Sequence, residues 1–141
     1  MYPRIGGASK TDFVSHVAVF VTAGSAEEAR RIARAAVDER LAACANVVGP
    51  VASRYWWQGR VEDASEVLLI LKTRADLLEA LTARIRSLHS YTVPEVIGLP
   101  ISGGNPDYLD WISDSTASPS STPSSPSPPS TPGNDLPQER G

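Results

Sequence analysis

The stretch HVAVFVTAGSAEEARRIARAAVDERL, His16 to Leu41, decides how the rest of the chain is read. Its opening residues, His16 to Ala23, are apolar at nearly every position and rich in valine, as expected of a strand covered on at least one face. Gly24 breaks that run. Ser25-Ala26-Glu27-Glu28 then reads as a capping box, in which the Ser25 hydroxyl and the Glu28 carboxylate satisfy orphan amides of a starting helix. Ala29, Ile32, Ala33, Ala36, Val37 and Leu41 recur with the helical period, while Arg30, Arg31, Arg34, Asp38 and Glu39 fall elsewhere. The helix this predicts has an alanine-rich contact face that can approach a sheet closely.

Downstream, Cys44 to Gln58 is β-like but interrupted by Gly49-Pro50, which predicts a bent strand or two short collinear ones. Gln58-Gly59 stands where a tight hairpin needs positive φ. Val61 to Thr73 returns antiparallel, with Val67 to Leu71 as its buried centre. Thr73-Arg74-Ala75-Asp76 reads as the cap of a second helix carrying Leu77, Leu78, Leu81, Ile85 and Leu88 on one side. A last strand follows from Glu95 to about Ile101. A short helix over Asp107 to Asp114 presents Tyr108, Leu109, Trp111 and Ile112. The order β-α-β-β-α-β plus a C-terminal helix is a split βαβ arrangement, an α+β fold with helices on one face of an antiparallel sheet. The other face needs a cover, so self-association is expected.

Composition bounds the rest. A chain of 141 residues is one domain's worth, with 41% hydrophobic residues. We read residues 1–14 as a flexible lead-in, 15–114 as the folded domain and 115–141 as a disordered tail, because the last segment holds seven of the 12 prolines amid Ser and Thr. Net charge is −3 and pI about 5.3, which gives no whole-chain footprint for nucleic acid or an anionic membrane. No apolar run is longer than Val67 to Leu71, far short of the roughly 20 residues of a membrane helix. The N-terminal basic residues are followed by no apolar core, so neither a signal nor a transit peptide is expected. The single cysteine, Cys44, fits a reducing compartment, and the expected location is cytoplasmic.

Chemistry-bearing side chains concentrate in SLHSYTVPEVIGL, Ser87 to Leu99, where His89, Tyr91, Pro94 and Glu95 fall within seven positions. His89 reads either as a metal ligand or proton carrier, or as a helix C-terminal histidine on the last carbonyls. Cys44 reads as a soft ligand or, between two alanines, as a small buried hydrophobe. Lys72, ending an apolar strand, wants a partner: Glu95 or Glu66 in an ion pair, or an anion in a cleft. Tyr55, Trp56 and Trp57 could stack on bases, but without a basic surround or an RNP1 pattern they read as core and interface residues. Glu62, Asp63 and Glu66 fit no EF-hand spacing and read as a solvated edge. No nucleophile elbow, P-loop or His-Glu-x-x-His motif is present, so nothing supports an enzyme.

The segment from about His16 to Ile112 resembles the CutA family, the divalent-cation tolerance proteins. The matching pieces are LAACAN (Leu41 to Asn46), SRYWWQGRVED (Ser53 to Asp63), EVLLILKT (Glu66 to Thr73), His-x-Tyr-x-x-Pro-Glu from His89 to Glu95, and YLDWI (Tyr108 to Ile112), in the family's order. The resemblance implies a ferredoxin-like subunit in a homotrimer, similar to PII signalling proteins, with clefts between subunits. It also implies a tie to copper tolerance and copper binding, and no settled reaction. In some bacterial relatives the copper ligands include a cysteine at the end of the first strand and two adjacent histidines; those positions carry Val21 and Leu88-His89 here. The family's usual His-Pro-Tyr is His89-Ser90-Tyr91, which removes some rigidity from the turn.

Two functions are therefore expected. The first is a cytoplasmic, homotrimeric CutA-like protein binding copper, another divalent metal or a small anion, with His89 and Cys44 as candidate metal ligands. The second is a PII-like regulatory or scaffold trimer binding a small metabolite or a partner protein, with Lys72, Tyr91, Glu95 and Trp57 as cleft residues. Neither implies an organic cofactor, a nucleic acid or a membrane.

Overall fold

The computed structural model describes residues 15–117; the expected lead-in over 1–14 and the expected tail from 118 onward lie outside the described residues. The elements are β1 (His16–Ala23), α1 (Ala26–Asp38), β2 (Cys44–Trp57), β3 (Arg60–Arg74), α2 (Leu78–Leu88), β4 (Val96–Ile101) and α3 (Pro106–Ser115), with a 3-10 turn over Ala75–Leu77 before α2. The four strands form one antiparallel sheet in the order β2-β3-β1-β4. This is the split βαβ topology expected from the sequence.

Alternation along the paired strands assigns the two faces. Val17, Val19 and Val21 of β1 lie in register with Thr73, Leu71 and Leu69 of β3, and this row faces α1 and α2. Ala29, Ile32 and Ala36 of α1, with Leu81 and Ile85 of α2, complete a core that is almost fully closed to solvent. The alanine spacing brings α1 close to the sheet. On β4, Gly98 serves the same purpose for α2, since a Cβ there would stand 2.8 Å from a Leu78 methyl.

The opposite face carries Ala18 and Phe20 of β1 between Lys72 and Ile70 of β3 and Leu99 and Ile97 of β4. Among the described residues only one end of it is covered. There α3 packs Leu109 and Ile112 against Ala43 and Ile101, and Ser113 Oγ meets His16 Nε2 at 2.9 Å. Ile97 and Leu99 remain 49% and 40% exposed.

Several local readings change. The capping box forms only half: Ser25 accepts the Glu28 N–H at 3.1 Å, while the Glu28 carboxylate turns to another part of the chain. α1 stops at Asp38, three residues before Leu41, as Arg40 adopts φ 61° and the Leu41 N–H closes on the Ala36 carbonyl at 2.9 Å. Gly49-Pro50 does not split β2. It sits at a register shift between Val48 and Val51 within one long strand. Gln58 (φ 53°) and Gly59 (φ 81°) make the expected tight turn. Thr73 caps no helix: it pairs with Val17 inside the sheet, and its hydroxyl donates to the Leu41 carbonyl at 2.8 Å. At the other end Ser115 still belongs to α3, and the buried Thr116 hydroxyl returns to the Ile112 carbonyl at 2.9 Å, so the fold runs past residue 114.

Candidate functional site

The dense turn after α2 is held by the fold from both sides. The chain leaves α2 at His89, whose N–H still closes on Ile85. Its ring does not return to the helix's own carbonyls. It crosses to β1, where Nε2 donates to the Thr22 carbonyl at 2.8 Å, while Nδ1 accepts the Tyr91 N–H at 3.0 Å. Because a carbonyl only accepts and an amide N–H only donates, these two bonds define the neutral Nε2–H tautomer. The side chain has no solvent exposure. The Glu28 carboxylate lies 3.4 Å from Nδ1, but that nitrogen's lone pair is already used, so the contact is not an ion pair in this arrangement.

Glu28, at the start of α1, is the residue the sequence reading left in the wrong role. Its Oε2 accepts the Ser90 N–H at 2.7 Å and its Oε1 the Ser90 hydroxyl at 3.1 Å. Burial pushes its carboxyl upward, yet the Ser90 donors and the Gly24 N–H outweigh that and leave it below the usual carboxylate range. Ser90 thus contributes two bonds that a proline lacks, and the turn is tied down by them. Next to it, Tyr91 sets its ring against His89, tilted by 49° with 4.6 Å between centroids, and donates its hydroxyl to Glu66 Oε2 at 2.8 Å. Burial, then the bond to Glu66, raises the Tyr91 phenol.

Glu66 is therefore no solvated edge. It is only 6% exposed and lines a cleft of about 700 Å³ between the β2–β3 arm and the turn from Ser90 to Glu95. Tyr55 and Trp57 of the arm line the same cleft, with Thr22, Tyr91 and Glu95. Burial and then the charge of Glu66 raise the Glu95 carboxyl. The structure thus brings together Tyr91, Glu95 and Trp57 of the expected cleft set.

Lys72 and Cys44 stand apart. Lys72 Nζ donates to Asn46 Oδ1 at 2.7 Å, so the expected pair with Glu95 or Glu66 does not form within the subunit. The reason is register: Lys72 is six residues from Glu66 along β3, roughly 20 Å. Cys44 pairs across the sheet with Lys72, which pairs with Ala18, four residues and roughly 13 Å along β1 from the Thr22 that holds His89. It is half-buried rather than buried, with Sγ 3.6 Å from the Tyr108 hydroxyl. Burial and that contact push the Tyr108 phenol up to about 12. Among the described residues no group of three or more His, Cys, Asp or Glu could hold a metal ion, and no helix is long and apolar enough to cross a membrane.

The sequence from 17 to 115 matches the family model described as CutA1 divalent ion tolerance protein. A chloroplastic CutA 1 protein of Oryza sativa is 47% identical over 108 residues, which is 77% of this chain and 61% of the rice protein. The divalent-cation tolerance protein CutA of Thermus thermophilus is 49% identical over 98 residues, 70% of this chain and 95% of that protein. The crystal structure of CutA1 from Oryza sativa superposes with a TM-score of 0.72 at 48% identity, over 74% of this chain and 95% of that one. The chain spans about three-fifths of the length of the plant relatives it matches.

Proposed function

The chain belongs to the CutA1 divalent ion tolerance family, and from that premise we propose that it acts as a homotrimer that binds copper or another divalent cation at clefts between subunits. Its expected setting is a reducing one, the cytoplasm. The observation that carries this reading is the bare sheet face: Phe20, Ile70, Ile97 and Leu99 form an apolar surface with no layer of the described residues over its middle. Covering it with further copies removes that surface from water. The second support is the facing pair of carboxylates, Glu66 and Glu95, which offers two oxygen donors for a divalent cation. A further ligand would come from a neighbouring subunit, since no described group of three exists in one chain. His89 could join a metal only by giving up Thr22 or Tyr91, so we assign it the positioning of the turn.

The test is a calorimetric copper titration with the mass measured by light scattering in the same buffer. Three times the chain mass and an integral number of coppers per trimer are expected, with Glu95→Gln weakening binding and Leu99→Glu dissociating the assembly. A monomer, or weak copper binding indifferent to both Glu95→Gln and His89→Ala, would refute the corresponding half.

The cleft itself favours a second reading, a PII-like regulatory trimer that takes a small metabolite or partner. Its volume of about 700 Å³ lies within the range of small-molecule sites, and aromatic side chains form part of its lining. A thermal-shift screen of metabolites checks it, because a ligand of the folded state raises the midpoint.

A further inference from the structure

We propose that α3 is an acid-released cover: a proton taken up by His16 frees this helix from the end of the sheet while the four strands, α1 and α2 stay folded. The proposal is independent of what the protein binds.

α3 is a separate unit of packing. Its Leu109 and Ile112 make with Ala43 a small apolar cluster, apart from the main core that the sheet shares with α1 and α2. Two buried apolar anchors, with Tyr108 and Trp111 half-buried beside them, are few for a helix of ten residues. Units held by few buried contacts open without unfolding of the rest. The remaining holds are polar. His16 of β1 meets Ser113 Oγ at 2.9 Å beneath the helix, and Arg40 Nη1 donates to the Ser115 carbonyl at 2.8 Å in an exposed setting. His16 is therefore the buried polar link between sheet and helix.

Its surroundings decide what a proton does there. From α3, Asp110 attracts an imidazolium, yet its buried Oδ1 makes no hydrogen bond to the ring. From β3, Arg74 stands in register with His16, is held by Asp76 at 3.4 Å, and repels it. From β4, the residue in register is the apolar Ile101. Loss of water outweighs the attraction to Asp110, so the closed helix favours the neutral ring. Opening the helix returns the imidazolium to water, and acid accordingly draws α3 off. Copies of the chain laid over the neighbouring sheet face leave His16 at least as buried.

The release has a consequence for that face. Leu99 and Ile101 lie two apart on β4, in register with Ala18 and His16. Lifting α3 uncovers Ile101 and Ala43 and so lengthens the apolar surface that already holds Ile97 and Leu99. Acidity thereby sets how far the surface offered to neighbouring copies extends.

The experiment is amide hydrogen exchange of the full-length protein, read by mass spectrometry over α3 and α2 and corrected for intrinsic rates. It is run at about pH 7.5 and about pH 5.5, with light scattering at both. Opening of α3 is expected to rise about threefold to tenfold on acidification, the ceiling being set by one proton on an open ring of ordinary pKa 6.5. Neither α2 nor the mass should change. His16→Gln, neutral at both pH values, should abolish the rise. Asp110→Asn removes the attraction for an imidazolium, so it should keep α3 closed at the upper pH and bring the rise nearer its ceiling. An α3 that exchanges alike at both pH values, a rise that survives His16→Gln, or α2 loosening in step with α3 overturns the proposal. If His16→Gln leaves α3 open throughout, Asp110→Asn decides, and a rise smaller than the parent's overturns it.

Discussion

The chain's two histidines lie near opposite ends of β1, and both are buried, but they are buried in different ways. His89 is enclosed at the Thr22 end with both ring nitrogens bonded, and each neighbour it organises is itself bonded: Ser90 to Glu28, Tyr91 to Glu66. His16, 4% exposed beneath α3, bonds Ser113 and the Leu109 carbonyl, yet beside it Asp110 Oδ1 is buried without a hydrogen bond and Arg74 Nε has only an ion-pair contact with Asp76 at 3.4 Å. Burial lowers the His16 imidazole, the Asp110 charge works against that, and Arg74 adds to it. The comparison teaches that a buried imidazole stiffens a turn where its whole surround is paired. Where the surround is incomplete, the imidazole becomes the place at which pH acts on the fold.

The largest test of that contrast is Glu28→Ala. It removes no bond of His89 directly but strips the acceptor from the Ser90 N–H and hydroxyl and from the Gly24 N–H. A donor left without its partner costs about 1–3 kcal/mol where water cannot reach it; Ser90 and Gly24 are exposed residues, so water relieves much of that and a loss of about 2 kcal/mol in urea unfolding is expected. Glu28→Gln, which keeps an acceptor oxygen, should lose less. A loss no larger than that of the exposed Glu27→Ala would break the claim that this end is the fully paired one.

What could be read in advance divides along the same physical line. The strand order and the two long helices were legible because Ile32 and Ala36, or Leu81 and Ile85, repeat with the period of the element that buries them. Gln58-Gly59 was legible because only a few residues tolerate the φ such a turn requires. Thr73 misled because a Thr-x-x-Asp cap is a local signal, and pairing with Val17 overrode it. Glu28 misled for the same reason: its local role is a cap, and its actual partner lies 62 residues away. Glu66 could have been found, because alternation along β3 separates it from the charged edge at Asp63 and sets it on the face of Leu68 and Ile70. Lys72 shows the limit, since a charge's need for a partner does not say which register supplies one. The density of His89, Tyr91 and Glu95 did mark the correct turn, and Tyr91 and Glu95 do reach the cleft.

A smaller effect is expected at the other histidine. Because the folded pKa of His16 lies below its ordinary 6.5, the neutral ring is favoured by the fold. Its contribution is whole above 6.5 and is lost as pH falls through the lowered folded value. The thermal midpoint should thus decline from neutrality toward about pH 5, and His16→Gln should flatten that decline. Glu28 also has a lowered folded value, but from 4.5, so its loss begins only at more acid pH. Glu95 runs the opposite way: its raised folded value favours the fold as pH falls through it, and Glu95→Gln removes that offset. Superimposable profiles for the parent and His16→Gln would refute the pH-sensitive end.

The smallest effect is expected from the pair with the most bonds. Arg84 holds the Glu39 carboxylate through both oxygens, Nε to Oε1 at 3.0 Å and Nη2 to Oε2 at 2.9 Å, linking the end of α1 to α2. Both side chains are about two-fifths exposed, so water and salt screen the attraction and replace either partner when the other is removed. Arg84→Ala is expected to leave the thermal midpoint within the scatter of repeated melts, in low salt and in high. By bond count this pair should rival Glu28; by burial it should not approach it. If Arg84→Ala destabilised as much as Glu28→Ala, the number of hydrogen bonds rather than their removal from water would be setting stability here. The difference between the two ends of β1 would then need another cause.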